Sequence, residues 1–330
     1  MTTLDPTTRM RAVVQHRYGD ADVLGTGLVD RPAIRAGEVL VEVRAAGLDR
    51  GTWHLMAGLP YAVRLGGFGV RAPKNPVPGR DLAGVVVAVG ADVTRFSPGD
   101  EVYGTGSGTF AEFATAPEEK LAAKPAGLSF VQAAAMPVSG STALQALTDV
   151  GRLAADQRVL VIGASGGVGT FAVQLAVALG AAVTGVCSPG KADLVRSLGA
   201  TRVVDHTRED FTDSTYDLVL DIGGNSPLSR LRRALTPTGT LVIAGGEGGG
   251  RWLGGTDRQL RALALSPFLR QRLTTLLATE DHTMLERLTD FVDEGRLVPV
   301  VERTFSLAEA PGAMRHLVGG HARGKLVIVP

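Results

Sequence analysis

At 330 residues the chain exceeds what one hydrophobic core organises, so two domains are expected. Hydrophobic residues make up 45% and charged residues 20%, and a net charge of +1 offers no bulk attraction to nucleic acid or to an acidic membrane. The single cysteine, Cys187, excludes an intramolecular disulfide and a cysteine-cluster zinc site, and fits a reducing compartment.

The N-terminus has no long apolar segment after a basic start, and later apolar runs are cut by Gly, Pro or charge before membrane-spanning length. No signal peptide and a cytoplasmic location are therefore expected. From 10 to 125 the pattern is of short β runs, at 11–14, 38–46, 82–89, 101–103 and 109–114, divided by Gly, Pro and Asp. They describe a mainly antiparallel β domain. Between 47 and 79 the sequence turns irregular and carries Trp53, His54, Tyr61, Arg64 and the piece LGGFG. An insertion this long reads as a functional loop.

From about Ser129 the period changes. A helix is expected over 131–150. Strands at 159–162, 182–187, 202–204, 217–221 and 240–245 then alternate with helices beginning near 169, 191 and 227. Alternation of this kind implies right-handed crossovers and a parallel, doubly wound sheet. After Gly250 the chain is again helical, with 284–294 amphipathic, and it closes with a β run at 298–305, a helix at 307–318 and a strand at 325–329.

One stretch organises the second half: RVLVIGASGGVGTFAVQLAVALG, 158–180. An apolar strand stops at a glycine cluster, and helical periodicity follows. Ala164, Ser165, Gly166, Gly167, Val168 and Gly169 read as A-x-G-x-x-G, with Gly163 just before. Strand, glycine turn and helix form the phosphate-binding unit of a dinucleotide fold, because the glycines admit the pyrophosphate and the helix N–H groups receive its charge. The bland alternative is a turn that serves only tight packing.

Seven landmarks stand in order: AAGLDRGTWHLMAG (45–58), PGRDLAG (78–84), GDEVYG (99–104), AAAMPVSGSTALQAL (133–147), GASGGVG (163–169), SLGA (197–200) and HARGKLVI (321–328). With them the chain resembles the medium-chain dehydrogenase/reductase superfamily, and within it the zinc-independent quinone oxidoreductase and enoyl reductase branch. The resemblance implies an α/β protein with a GroES-like catalytic domain, 1–125 and 265–330, and a Rossmann NADP-binding domain, 126–264. A homodimer acting on a small molecule, with no nucleic-acid or membrane partner, is the expected assembly.

NAD-preferring folds end the second strand of the unit with an acidic residue. Here that strand is followed by Ser188-Pro189-Gly190-Lys191, with no carboxylate, and a hydroxyl plus a lysine suits a 2′-phosphate. NADP(H) is the expected cofactor. The alternative is that Ser188 caps the next helix and Lys191 is a solvated charge. Cys187 closes the strand as a packing residue, and Asp221, Gly223, Gly245 and Gly246 end the next strands, where such a sheet holds its ligand. By resemblance, His206 stands where relatives have a tyrosine near the adenosine phosphate, and Ser139, Thr142, Gly324 and Lys325 line the cofactor cleft.

Zinc enzymes of the superfamily hold their metal at positions that correspond here to Asp49, Arg80 and Val138, and arginine cannot ligate zinc as histidine does. No zinc is expected. Hydride addition to a carbon conjugated with a carbonyl, or to a quinone, needs little Lewis-acid help, because hydrogen-bond donors can hold the charge that develops on oxygen. Candidate donors are Thr52, His54, Tyr61 and Arg80, with Asp49 where relatives often carry asparagine. Duller roles compete: packing for Trp53 and Tyr61, a structural clasp between Arg80 and Asp81, and solvation for His54. Two other classes stay open, a metal-free carbonyl reductase and a non-catalytic NADPH-binding protein.

Overall fold

The computed structural model describes residues 9–246 and 250–330; the part of the N-terminal reading that concerns residues 1–8 lies outside them. The chain forms two compact units. One comprises Met1–Val138, Glu280–Asp293 and Pro299–Pro330, the other Ser139–Thr279 and Glu294–Val298.

The first unit opens with an antiparallel pair, β1 (Arg9–Val14) and β2 (Gly25–Asp30). The long β3 (Glu38–Leu48) follows, then α1 (Arg50–Ala57) and the single turn α2 (Tyr61–Val63). Next come β4 (Asp81–Val89), β5 (Glu101–Thr105), β6 (Phe113–Pro117), β7 (Leu121–Ala123) and α3 (Phe130–Ala134). β3 pairs antiparallel with both β4 and β6, and its inward residues Val39, Val41 and Val43 meet Leu82, Val102 and Phe110 in one core.

The unit boundary falls inside α4 (Pro137–Gln145). The second unit then alternates β8 (Arg158–Ile162), α5 (Gly167–Ala178), β9 (Ala182–Cys187), α6 (Ala192–Ser197), β10 (Arg202–Asp205), β11 (Tyr216–Asp221), α7 (Leu228–Arg233) and β12 (Leu235–Ile243). It ends with α8 (Gly250–Leu253), α9 (Thr256–Leu265) and β13 (Arg272–Thr275). The strands are parallel in the order β10-β9-β8-β11-β12-β13, the Rossmann order. β8 is buried from Val159 to Ile162, as a strand covered on both faces must be. The chain returns to the first unit through α10 (His282–Asp293), β14 (Val301–Ser306), α11 (Ala310–Val318) and β15 (Lys325–Val329), and β15 pairs with β3.

Several elements differ from the sequence reading. The strand expected at 109–114 begins only at Phe113, because Thr109 and Phe110 direct their N–H groups to the carbonyls of Gly79 and Pro78. The helix expected over 131–150 breaks before Pro137, which has no N–H to continue it. The irregular 47–79 insertion contains α1. Finally, β13 joins the parallel sheet, so the second unit runs to Thr279, further along than the 264 boundary, and α3 belongs to the first unit, beyond the 125 boundary. Among the described residues no helix is long and apolar enough to cross a membrane.

Candidate functional site

In the second unit β8 turns through Gly163 into α5. Gly163 has φ +90°, in the left-handed region, and a Cβ on Gly169 would lie 2.1 Å from the Gly163 carbonyl oxygen. Both positions need glycine. Ala164 and Ser165 are buried, and the Ala164 N–H donates to the Val186 carbonyl of β9. Gly166 is the N-cap of α5, and it has no side chain with which to cap that end. The first-turn N–H groups, those of Gly167 and Val168 included, therefore have no intrahelical acceptor and form a cradle that fits the pyrophosphate of a dinucleotide.

The ends of β9 and β10 enclose a cavity of about 260 Å³ lined by Cys187, Ser188, Ala192, Asp205 and Glu209 among others. Here the structure brings Ser188 and His206 together, with Oγ and Nε2 3.2 Å apart. Ser188 makes no side-chain capping bond, which corrects its reading as a helix cap. Burial pushes the Cys187 thiol up despite the nearby Lys191 ammonium, so Cys187 packs as a neutral thiol. Asp205 accepts from the N–H and hydroxyl of Thr207, at 2.9 and 2.7 Å, and these bonds hold its carboxyl below the usual range.

Asp221 ends β11 fully buried, and its carboxylate receives Arg258 and the Gly224 N–H. Arg258 also donates to the carbonyls of Ser226 and Gly245, at 2.8 and 2.9 Å, so one guanidinium ties the loops after β11 and β12. Sequence reasoning missed Arg258, which lies in α9 with no motif around it. Gly223, Gly245 and Gly246 stand in those loops. On α4, Ser139 is buried and Thr142 half-buried.

The first unit holds a second polar cluster. Asp49 is the N-cap of α1, and its Oδ1 accepts from the Thr52 N–H at 2.7 Å. Its Oδ2 and the Thr52 hydroxyl are buried without a hydrogen-bond partner among the described residues. Such groups carry a desolvation cost that a bound molecule with matching polar atoms would relieve. Arg80 pairs with Glu280, a residue that no sequence pattern pointed to. Burial works to lower the Arg80 guanidinium, but Glu280, Asp49 and Asp81 together hold it above its ordinary value.

The clasp expected between Arg80 and Asp81 is replaced by two separate pairs. Asp81 accepts from Lys325 Nζ at 3.1 Å and from the Val138 N–H at 3.1 Å. Lys325, expected in the cofactor cleft, thus directs its ammonium into the first unit's interior, and Gly324 precedes it at φ +86°. Nor is His54 simply solvated: it is half-buried, its Nδ1 donates to the Leu59 carbonyl at 2.7 Å, and its ring lies 4.7 Å from that of Trp53. Tyr61 joins Arg64, whose guanidinium lies 4.8 Å from its ring and 4.4 Å from that of Tyr18.

Of the three groups at the superfamily's zinc positions, Arg80 is an obligate donor already paired with an acid and Val138 offers no side-chain ligand. Among the described residues no three His, Cys, Asp or Glu side chains gather as metal ligands. This donor set does not fit zinc.

The model for the alcohol dehydrogenase GroES-like domain matches residues 35–126, and that for zinc-binding dehydrogenase matches 198–328. The chain is 32% identical to the mitochondrial NAD(P)H oxidoreductase RTN4IP1 of Mus musculus, over 99% of this chain and 91% of that protein. It is 33% identical to a 2-methylene-furan-3-one reductase of Solanum lycopersicum, over 100% and 81%. A solved quinone oxidoreductase from Coxiella burnetii superimposes with a TM-score of 0.84 at 28% identity, covering 98% of this chain and 100% of that one. The chain belongs to the medium-chain dehydrogenase/reductase superfamily of nicotinamide-dependent oxidoreductases, in its zinc-independent branch.

Proposed function

We propose that the protein is an NADPH-dependent, metal-free reductase acting on a C=C bond conjugated with a carbonyl, or on a quinone. The observation that carries this reading is the Arg80–Glu280 pair beside Asp49. A fixed guanidinium stands where the zinc enzymes keep a metal ligand, and it is suited to hold charge that develops on a carbonyl oxygen. Bound cofactor supplies the hydride. The glycine cradle would hold its pyrophosphate, and Ser188, His206 and Lys191 would meet a 2′-phosphate. Asp49 and Thr52 offer the buried acceptor and hydroxyl that would orient a polar group of the substrate.

The relatives' names agree in kind: one is an NAD(P)H oxidoreductase, one reduces a methylene-furanone, an enone, and one a quinone. The proposal includes a cytoplasmic homodimer. Among the described residues β13 is the last strand of its sheet, and the chain beside it leaves Phe268 84% and Leu277 90% exposed. The test is turnover by chelator-treated protein with NADPH and three acceptors: a cyclic enone, a benzoquinone and a saturated ketone. Oxidation of NADPH with the first or second but not the third supports the reading. Activity that needs added zinc, or no turnover at all, counts against it.

A further inference from the structure

The net charge of +1 conceals a local excess. From Arg50 to Arg80 there are five cations, Arg50, Arg64, Arg71, Lys74 and Arg80, and no carboxylate. Within this stretch the chain from Arg64 to Lys74 carries its apolar side chains outward. Leu65 is 79% exposed, Phe68 49% and Val70 63%, and Arg71 and Lys74 are exposed beside them.

The base of this loop is fixed. The Tyr18 hydroxyl donates to the carbonyls of Phe68 and Gly69, Arg64 Nε donates to the Gly58 carbonyl at 2.9 Å, and the Lys74 N–H closes onto the Phe68 carbonyl at 2.9 Å. The exposed apolar tips are therefore held out rather than left by fraying. Gly66 and Gly67 between them meet no neighbour even at a Cβ position, so the tip has room to adapt. The adjoining turn adds exposed His16 and Arg17; of the carboxylates that follow, Asp22 is paired with Arg315 and Asp20 is exposed.

We infer that the 64–74 loop docks on an anionic lipid bilayer, with Leu65, Phe68 and Val70 at the acyl boundary and Arg71 and Lys74 on headgroup phosphates. Apolar tips, flanking cations and tyrosines at the base are the layered order that an interface selects. An acidic protein partner would match the cations but would call for a shaped surface, and a glycine-rich tip of three separate side chains presents none. The contact is peripheral and electrostatically assisted, so it weakens as salt rises. It places the enzyme where lipid-soluble acceptors partition, yet it does not depend on the proposed reaction.

Co-sedimentation of the full chain with vesicles tests it, using phosphatidylcholine alone and an equal mixture with phosphatidylglycerol. The mixed vesicles are expected to bind at least about tenfold more tightly, about 1.4 kcal/mol, and to release protein at high salt. Phe68→Asp and Arg71→Glu are each expected to weaken that binding about tenfold, with melting temperature and NADPH oxidation by a water-soluble acceptor unchanged. Absence of binding to mixed vesicles overturns the inference. So does binding that both variants retain, and so does a raised KM for the soluble acceptor with vesicle binding intact, which would make the loop a substrate lid.

Discussion

The ion pair of Asp81 and Lys325 is fully buried, and its titration sets a testable sign. Burial, aided by Asp49 and opposed by Lys325, raises the Asp81 carboxyl from 3.8 to about 7. Between those values the folded chain binds the extra proton, so this group's contribution to stability falls as pH rises through that window. Replacing Lys325 by Met leaves the carboxylate buried without its counter-charge, a loss of about 3–5 kcal/mol. Urea titration is expected to show a smaller loss near about pH 5, where Asp81 takes up a proton, than near about pH 8. Equal losses would mean that Asp81 does not titrate in this range. Neither this pair nor Arg80–Glu280 was legible in the sequence. Asp81 opens β4 and Arg80 lies in the chain just before it, so the two side chains take separate partners, and those partners lie beyond position 279.

At the scale of elements, the alternation of β8 to β12 with their helices was readable because buried parallel strands form short apolar runs that glycine interrupts. β13, with the sequence RLTT, was not: four residues of mixed polarity carry no period, and only pairing with β12 makes them a strand. α1 escaped for a similar reason, since only Thr52, Met56 and Ala57 of its eight residues are buried. The A-x-G-x-x-G turn was found, but the meeting of Ser188 with His206 needed β9 and β10 side by side. That meeting carries a prediction: fluorescence titration should give at least about tenfold tighter binding of NADPH than NADH, modest for a charge-assisted phosphate contact. The double variant Ser188→Ala, His206→Ala should erase most of the difference and leave NADH affinity unchanged. Equal affinities in the parent protein would remove the 2′-phosphate assignment.

For the whole molecule, the two-unit architecture followed from length and from the change of period near Ser129, whereas the exposed apolar edge of the second unit became visible only in three dimensions. Phe268 and Leu277 flank β13, an edge that a two-fold-related copy would cover. Light scattering coupled to size exclusion should report a dimer, and Leu277→Asp should shift it toward monomer; a monomeric parent would leave those side chains without that role. With a donor set around Arg80 that does not fit zinc, the hydride is expected to go to a carbon conjugated with a carbonyl. Nuclear magnetic resonance of the product formed from cyclohexenone and NADPH deuterated at the transferred position tests it most directly. Deuterium is expected on the carbon β to an intact carbonyl, with kcat at least about tenfold lower in Arg80→Ala, since loss of one donor to the developing oxyanion is worth about 1.4 kcal/mol or more. Deuterium on a carbinol carbon would contradict it and identify a carbonyl reductase instead.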